Sequence, residues 1–411
     1  MPGTTSQPGV QTTSSLAPAA TYSAAELQQL VDEAAYFHLY STPQQPTGTA
    51  IWSTSRNQII GVQVNETLRR FDIRTYGPTE RAPFRATNAI GHIAGSFTHK
   101  WMVIPDDYAA LPGCNPPATP FNETRSQRFA MIDGICHLGD GADGFRGFGT
   151  GKTYPSRING RSQLLATAIG TIVEGFGKFE GLNECTYVYC GTLDPECGFR
   201  GSLMIRVADP QATFRVTRTL QHIEPLCEVE DRVTYVLLRG QADPSDVVAP
   251  RVGPNGQLLG LHVEQGVNLI CLDSSYTGRA GLQSFARPGQ SIGKLSAEID
   301  FNPAAQGGTV RDPIPFTTLD QFTFRGSDGG FLAHLVEGRV FNLEIPQGSG
   351  QKAIRFGGTG PLKNGTGEFA AIDGLMTDNS LVMFTPHVSA SVYVLRLNDP
   401  ENRYRVKWGG E

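Results

Sequence analysis

The chain has 411 residues, of which 39% are hydrophobic and 18% charged, with 48 glycines and 27 prolines. That length fits two or three domains with sizeable cores, the apolar content excludes a disordered chain, and so many breakers exclude a helical one. A net charge of −5 removes the electrostatic basis for binding nucleic acid, and no apolar stretch reaches bilayer length, so no membrane span is expected.

Residues 1–22 are rich in Ser, Thr, Pro and Ala and read as a flexible tail. They lack the basic start and apolar run of a secretory signal, so a cytoplasmic location is expected, with secretion of a processed form as the alternative. Ser23 and Glu26 form a capping box, and Leu27, Leu30, Val31, Ala34 and Phe37 follow helical spacing. One helix is predicted over 23–41, clasped across a barrel mouth or a sheet face.

From Ile51 the pattern turns to strands rich in Val, Ile, Phe, Tyr and Thr, bounded by Gly, Pro, Asn and Asp. Predicted strands include 89–104, 128–138, 162–172, 186–192 and 201–207, then 232–238, 260–272, 294–301, 320–324, 331–345, 381–384 and 392–397. The Pro/Gly-rich run 241–257 is the predicted linker between a first domain, 51–240, and a second, 258–411. The proline-rich stretch 106–121 is predicted to be a loop or lid. Seven cysteines without a signal favour reduced thiols, and Cys185, Cys190 and Cys197 lack zinc spacing. The sequons at Asn65, Asn122 and Asn364 read as coincidental.

An internal repeat is the strongest signal. At an offset of 190 residues and without a gap, Gly170, Gly175, Gly177 and Phe179 fall on Gly360, Gly365, Gly367 and Phe369. Arg206-x-x-Asp209-Pro210 falls on Arg396-x-x-Asp399-Pro400. The expected fold is therefore mostly β: two related antiparallel β-barrel or sandwich halves in tandem, with one N-terminal helix. Gly-x-Gly-x-Phe is expected to start a strand at a barrel corner. Arg-x-x-Asp-Pro is expected to close one, with Asp capping the turn or pairing with Arg.

Strands punctuated by Phe148-Gly-Thr-Gly, Phe356-Gly-Gly-Thr-Gly and the two Gly-x-Gly-x-Phe elements resemble small barrels of the allene oxide cyclase, dirigent and lipocalin-like kind. The resemblance covers under half the chain. It implies a hydrophobic cavity for a small lipophilic molecule and, in several such families, cofactor-free cyclisation or isomerisation.

Strand alternation predicts Phe129, Met131, Asp133, Ile135 and His137 on one face of a strand that runs into a Gly-rich turn. Asp133 and His137 are then candidate proton-transfer residues, against a plain turn-anchoring role. Tyr187 shares a face with Tyr189 and is the candidate donor to a carbonyl or enolate. Phe129, Met131, Tyr189 and Arg146 are candidate ligand contacts. Gly151-Lys152-Thr153 lacks the first glycine and the helix of a phosphate loop, and Asp140 with Asp143 reads as a solvated turn rather than a calcium site. No metal and no cofactor are expected. His92 and His99 are predicted on opposite faces of one strand.

These features point to a cofactor-independent cyclase or isomerase, of the Diels–Alder type among others, acting on a hydrophobic small molecule of secondary metabolism. Its site is expected in the first half, which has the richer polar content. A non-catalytic carrier of a lipophilic ligand and a structural β module forming homo-oligomers are the alternatives.

Overall fold

The computed structural model describes residues 22–32, 34–43, 49–56, 58–76, 85–104, 124–158, 161–181, 186–194, 198–208, 232–241, 246–273, 283–284, 291–301, 308–324, 329–345, 349–384 and 387–404. The N-terminal tail, the 106–121 loop, Asn122 and the cysteines at 114, 185 and 197 lie outside the described residues.

After helix α1 (Ala24–Asp32) come β1 (Ala34–Pro43), β2 (Thr49–Ser53), β3 (Gln58–Tyr76), β4 (Arg85–Val103) and β5 (Gln127–Leu138). Then follow β6 (Asp143–Ile158), β7 (Arg161–Phe176), β8 (Thr186–Asp194) and β9 (Gly198–Ala208). Strands β3 to β9 pair antiparallel in chain order, and β1 joins β9 to β3, closing an eight-stranded barrel. The second barrel is built from β10 (Val233–Gln241), β11 (Val247–Val252), β12 (Leu258–Asp273), β13 (Gln283–Ser284), β14 (Gly293–Phe301), β15 (Ile314–Phe324), β16 (Gly330–Glu344), β17 (Lys352–Thr366), β18 (Gly374–Phe384) and β19 (His387–Asn398). Here β10 closes the ring between β19 and β12. The short strands β2, β11 and β13 flank β3 or β12 without entering the closed rings. Closure leaves each ring without an edge for a foreign strand.

The tandem mostly-β expectation holds, but its boundaries shift. The capping box is present, with Ser23 N–H 2.8 Å from Glu26 Oε2, yet the helix stops at Asp32 rather than near Ser41. Residues 34–43 are recruited as β1 because barrel closure supplies ladder partners on both sides, a tertiary gain that outweighs local helical spacing. The expected linker 241–257 instead carries β11, which pairs with β12, and β10 before it already closes the second barrel. The Gly-rich run from Asp143 is a full strand, β6, rather than a turn.

The repeated motifs sit at strand ends. Gly-x-Gly-x-Phe ends β7 and β17 rather than starting a strand. Gly177 and Gly367 take positive φ (62° and 58°) into a 3₁₀ turn that drops Phe179 or Phe369 into the barrel end. Asp399 caps the turn after β19, accepting from Arg403 N–H at 2.6 Å and Tyr404 N–H at 3.0 Å.

The barrels pack side by side through an apolar seam of Tyr36, Tyr40, Phe71, Ile73, Met204, Tyr235, Leu237, Ile270 and Val394. The ladder itself crosses the seam, β3 pairing with β12 at Ile73–Leu272. Buried guanidinium groups bridge it too, Arg355 donating to Thr186 and Arg396 to Thr192. Helix α1 packs Leu27 on the outside of the second barrel against Leu381, Met383, Val388 and Ala390, which is the sheet-face form of the expected clasp.

His38 is fully buried on the seam side of β1, 2.8 Å from Ser202 Oγ and 4.5 Å from the Phe71 ring. Burial pushes its pKa down to about 3. The unfolded chain takes up a proton near pH 6.5 that the folded one refuses, so stability is lost as pH falls below 6.5. A loss of about 2 kcal/mol by pH 5 is expected from this residue. Urea titrations should show His38→Gln gaining about 2 kcal/mol relative to the parent on going from pH 7 to pH 5.

Candidate functional site

Strand register decides which side chains meet inside each barrel. In the first, Val62, Val64, Glu66 and Leu68 of β3 point inward, opposite Phe97, His99 and Trp101 of β4. Tyr187 and Tyr189 of β8 join them, both fully buried, as the shared face predicted. Phe97, His99 and Tyr189 lie nearly parallel in one stack, with Trp101 stacked on Phe129. A chain of hydrogen bonds threads the rings. Trp101 Nε1–H donates to His99 Nδ1 at 2.7 Å, which leaves His99 Nε2–H to donate to Glu66 Oε2 at 3.0 Å. Tyr189 O–H donates to the same oxygen at 2.8 Å. Burial holds both tyrosine hydroxyls well above their usual pKa and so protonated at neutral pH.

Tyr187 reaches its place through a glycine slot. A Cβ at Gly170 would come within 1.9 Å of the Tyr187 ring, and one at Gly147 within 2.8 Å. Gly170→Ala should therefore destabilise the fold by about 1–3 kcal/mol, the range for overpacking a filled core. A melting curve checks this, with no shift at the open position Gly181→Ser beyond its own backbone strain.

The predicted acid–imidazole pair is not inside. Relative to β6, β5 carries a bulge between Met131 and Gly134, with Asp133 at φ 52°. The bulge inverts the alternation: Phe129 and Met131 face in, then Gly134, Cys136 and Leu138, so Asp133 and His137 face solvent. Asp133 pairs with Lys100 Nζ at 2.7 Å, and His137 Nδ1 lies 3.2 Å from the Gly141 carbonyl. Arg146 is also outside, 3.3 Å from Glu174. Of the candidates, the fold brings together Tyr187, Tyr189, Phe129 and Met131, and separates Asp133, His137 and Arg146 from them. Cys136 and Cys190 are both buried.

The second barrel repeats this layer with different contents. Gly170 pairs with Tyr187, and Gly360 with Met376, so the turn before β18 is one residue shorter than that before β8. The gapless repeat slips here. Tyr187 matches Met376, and Tyr189 matches Asp378. On the neighbouring strands Glu66 matches Gln265, Phe97 matches Leu295, His99 matches Ala297 and Trp101 matches Ile299, each read from equivalent ladder partners. Large rings have become smaller side chains, and a cavity opens among Val263, Leu295, Ala297, Ile299, Phe356 and Val382. Its open space, about 20 Å³, is roughly what one water needs.

Two carboxylic acids line that cavity: Asp320 of β15 and Asp378 of β18. The Thr318 hydroxyl donates to Asp320 Oδ1 and the Ser380 hydroxyl to Asp378 Oδ1. Burial pushes Asp320 up to about 8, Thr318 opposing and Asp378 adding to the shift. Asp378 is pushed up to about 7 by burial, against Ser380 and the Arg355 guanidinium behind β17. Tyr393 of β19, directly opposite Asp378 in the ladder, donates to Gln265 Oε1 at 2.8 Å, as Tyr189 does to Glu66. Ser389 Oγ, buried at the cavity wall, has no hydrogen-bond partner. The described β10–β19 ladder ends at Gly240–Ser391, just short of Ser389, and β11 contributes Val248 to the cavity lining.

No family model, no curated protein and no solved structure matches this chain. The site therefore rests on its own geometry. Among the described residues no group of three or more His, Cys, Asp and Glu stands close enough to hold a metal, and no helix is long and apolar enough to cross a membrane.

Sequence reasoning missed Asp320, Asp378, Tyr393, Gln265, Glu66 and His99 as a set. A signal existed. Phe316, Thr318, Asp320, Phe322 and Phe324 alternate on one face of β15, so an acid stands on an otherwise apolar, inward-facing row.

Proposed function

We propose that this protein is a cofactor-independent isomerase or cyclase of a hydrophobic small molecule, working in the cavity of the second barrel. The observation that carries this reading is the pair of buried carboxyls, Asp320 and Asp378, in one cavity with Tyr393 and an unpartnered Ser389 hydroxyl. Two acids sharing an apolar enclosure do not both ionise, so one serves as acid and the other as base near neutral pH. The apolar wall supplies desolvation and orients the substrate, which brings a reacting group to the acids at low entropic cost. The first barrel, filled by stacked rings, is read as the rigid partner that holds the second in shape.

The test is native mass spectrometry of the purified protein to find a co-purifying small molecule, followed by incubation of that molecule with fresh enzyme. Conversion to a product of equal mass, lost in Asp378→Asn and retained in His137→Ala, is the expected result. A molecule that binds stoichiometrically and is returned unchanged would assign the chain to the carrier class instead.

A further inference from the structure

Resting on the reading above, we propose that the substrate is a neutral ketone whose carbonyl end enters the second barrel, and that the site moves protons between its α-carbon and its oxygen. Three features lead there. First, each acid is anchored through Oδ1 by a hydroxyl that donates to it, so Oδ2 of each is the atom left to carry or accept a proton. One Oδ2–H and one Oδ2 carboxylate are the two partners that keto–enol exchange requires.

Second, among the described residues no Lys, Arg or His lines the cavity. An anionic ligand would meet two carboxyls and no countercharge, only neutral polar and apolar side chains. Neutral oxygen is what a protonated acid recognises, and a developing enolate is what it stabilises. The Ser389 hydroxyl, buried and unpartnered in the same wall, is a second donor for that oxygen. Third, the open space holds about one water, so only a compact group, a carbonyl with its α-carbon, reaches the acids, and it enters by displacing the lining side chains Val248, Val263 and Val382.

The step balances without any co-reactant. The protonated acid gives its proton to the carbonyl oxygen while the ionised acid removes an α-hydrogen as a proton. The C–H electron pair becomes the new C=C bond and the C=O π pair moves onto oxygen, giving an enol and leaving the two acids with exchanged protonation. Where the ketone is β,γ-unsaturated the enol is a dienol: return of a proton to the γ-carbon shifts the C=C into conjugation, re-forms the C=O as the hydroxyl proton goes back to its donor, and so yields the α,β-unsaturated isomer and restores the site. Attack of the enol carbon on a second electrophilic carbon of the same molecule closes a ring instead. The groups facing the acids are each other, Tyr393, and Arg355 from behind β17, so activity is expected to peak where one acid is ionised and one is not.

The experiment uses the full chain with cyclohexanone and 2-decalone in D₂O, reading deuterium at the α-carbons and saturation-transfer binding by NMR. Expected are exchange above buffer, at least a tenfold loss in both Asp320→Asn and Asp378→Asn, a smaller loss in Ser389→Ala, and no loss in the surface variant Asp133→Asn. Ketones that bind with no protein-dependent exchange overturn the enolisation proposal while leaving the cavity as a binding site. Butylamine binding with the same aspartate dependence, and no ketone binding, overturns the ketone class alone. If neither probe binds and the aspartate variants change nothing, both the proposal and the isomerase reading fall. Thermal melts of each variant exclude misfolding as the cause of a loss.

Discussion

Asp320→Asn is expected to make the protein more stable at pH 8 while abolishing turnover. The folded state holds the Asp320 proton up to about pH 8, whereas an unfolded aspartate releases it near pH 4. Between those values the folded chain binds more protons than the unfolded one, so stability declines as pH rises. The slope approaches about 1.4 kcal/mol per pH unit for each such acid, and Asp378 adds a second contribution that ends near pH 7. Asparagine keeps the acceptor that Thr318 uses and carries no charge. A gain of about 2–5 kcal/mol at pH 8, falling to little at pH 4, is therefore the expected outcome. Urea titrations at both pH values measure it. A variant less stable than the parent at pH 8 would mean that the acid is held in place by a partner worth more than its burial costs. His38 opposes this slope below pH 6.5 with about half the strength of the two acids, so the three groups together favour the folded state most at about pH 4.

Glu66→Leu and Glu66→Gln should differ sharply in the first barrel. Leucine fills similar space but leaves the Tyr189 hydroxyl and the His99 Nε2–H without an acceptor in a fully buried stack. The expected cost is about 3–5 kcal/mol, the range for breaking a buried polar network by removing one partner. Glutamine retains the accepting oxygen, and Gln265 already does that work at the equivalent place, taking the Tyr393 hydroxyl. Its expected cost is about 1 kcal/mol or less. Chemical denaturation of the two variants at pH 7 separates the cases. Equal losses would show that the charge of Glu66, rather than its acceptor geometry, holds the stack.

How the duplicated barrels divided their roles follows from the same comparison. Tyr189, Phe97, His99 and Trp101 fill one interior, while Asp378, Leu295, Ala297 and Ile299 leave room in the other. The β3 or β12 side chain that accepts a tyrosine hydroxyl is kept in both, although the tyrosine comes from β8 in one barrel and β19 in the other. The ring moved across the ladder, from Tyr189 to the position opposite Asp378, and the acid took its former place.

The sequence by itself determined the mostly-β class, the tandem duplication, the capping box at Ser23 and the inward pairing of Tyr187 with Tyr189. All four depend on local periodicity or on repeated glycines whose spacing survives without knowing any partner strand. Tertiary structure alone decided that 34–43 is a strand, that β10 belongs to the second barrel, and that Asp133 and His137 face solvent. Each turns on a ladder partner far away in sequence or on a bulge, and one inserted residue inverts every later side chain on a strand. The acid pair was hidden for the same reason: Asp320 and Asp378 lie on different strands, and only barrel closure brings them to one cavity.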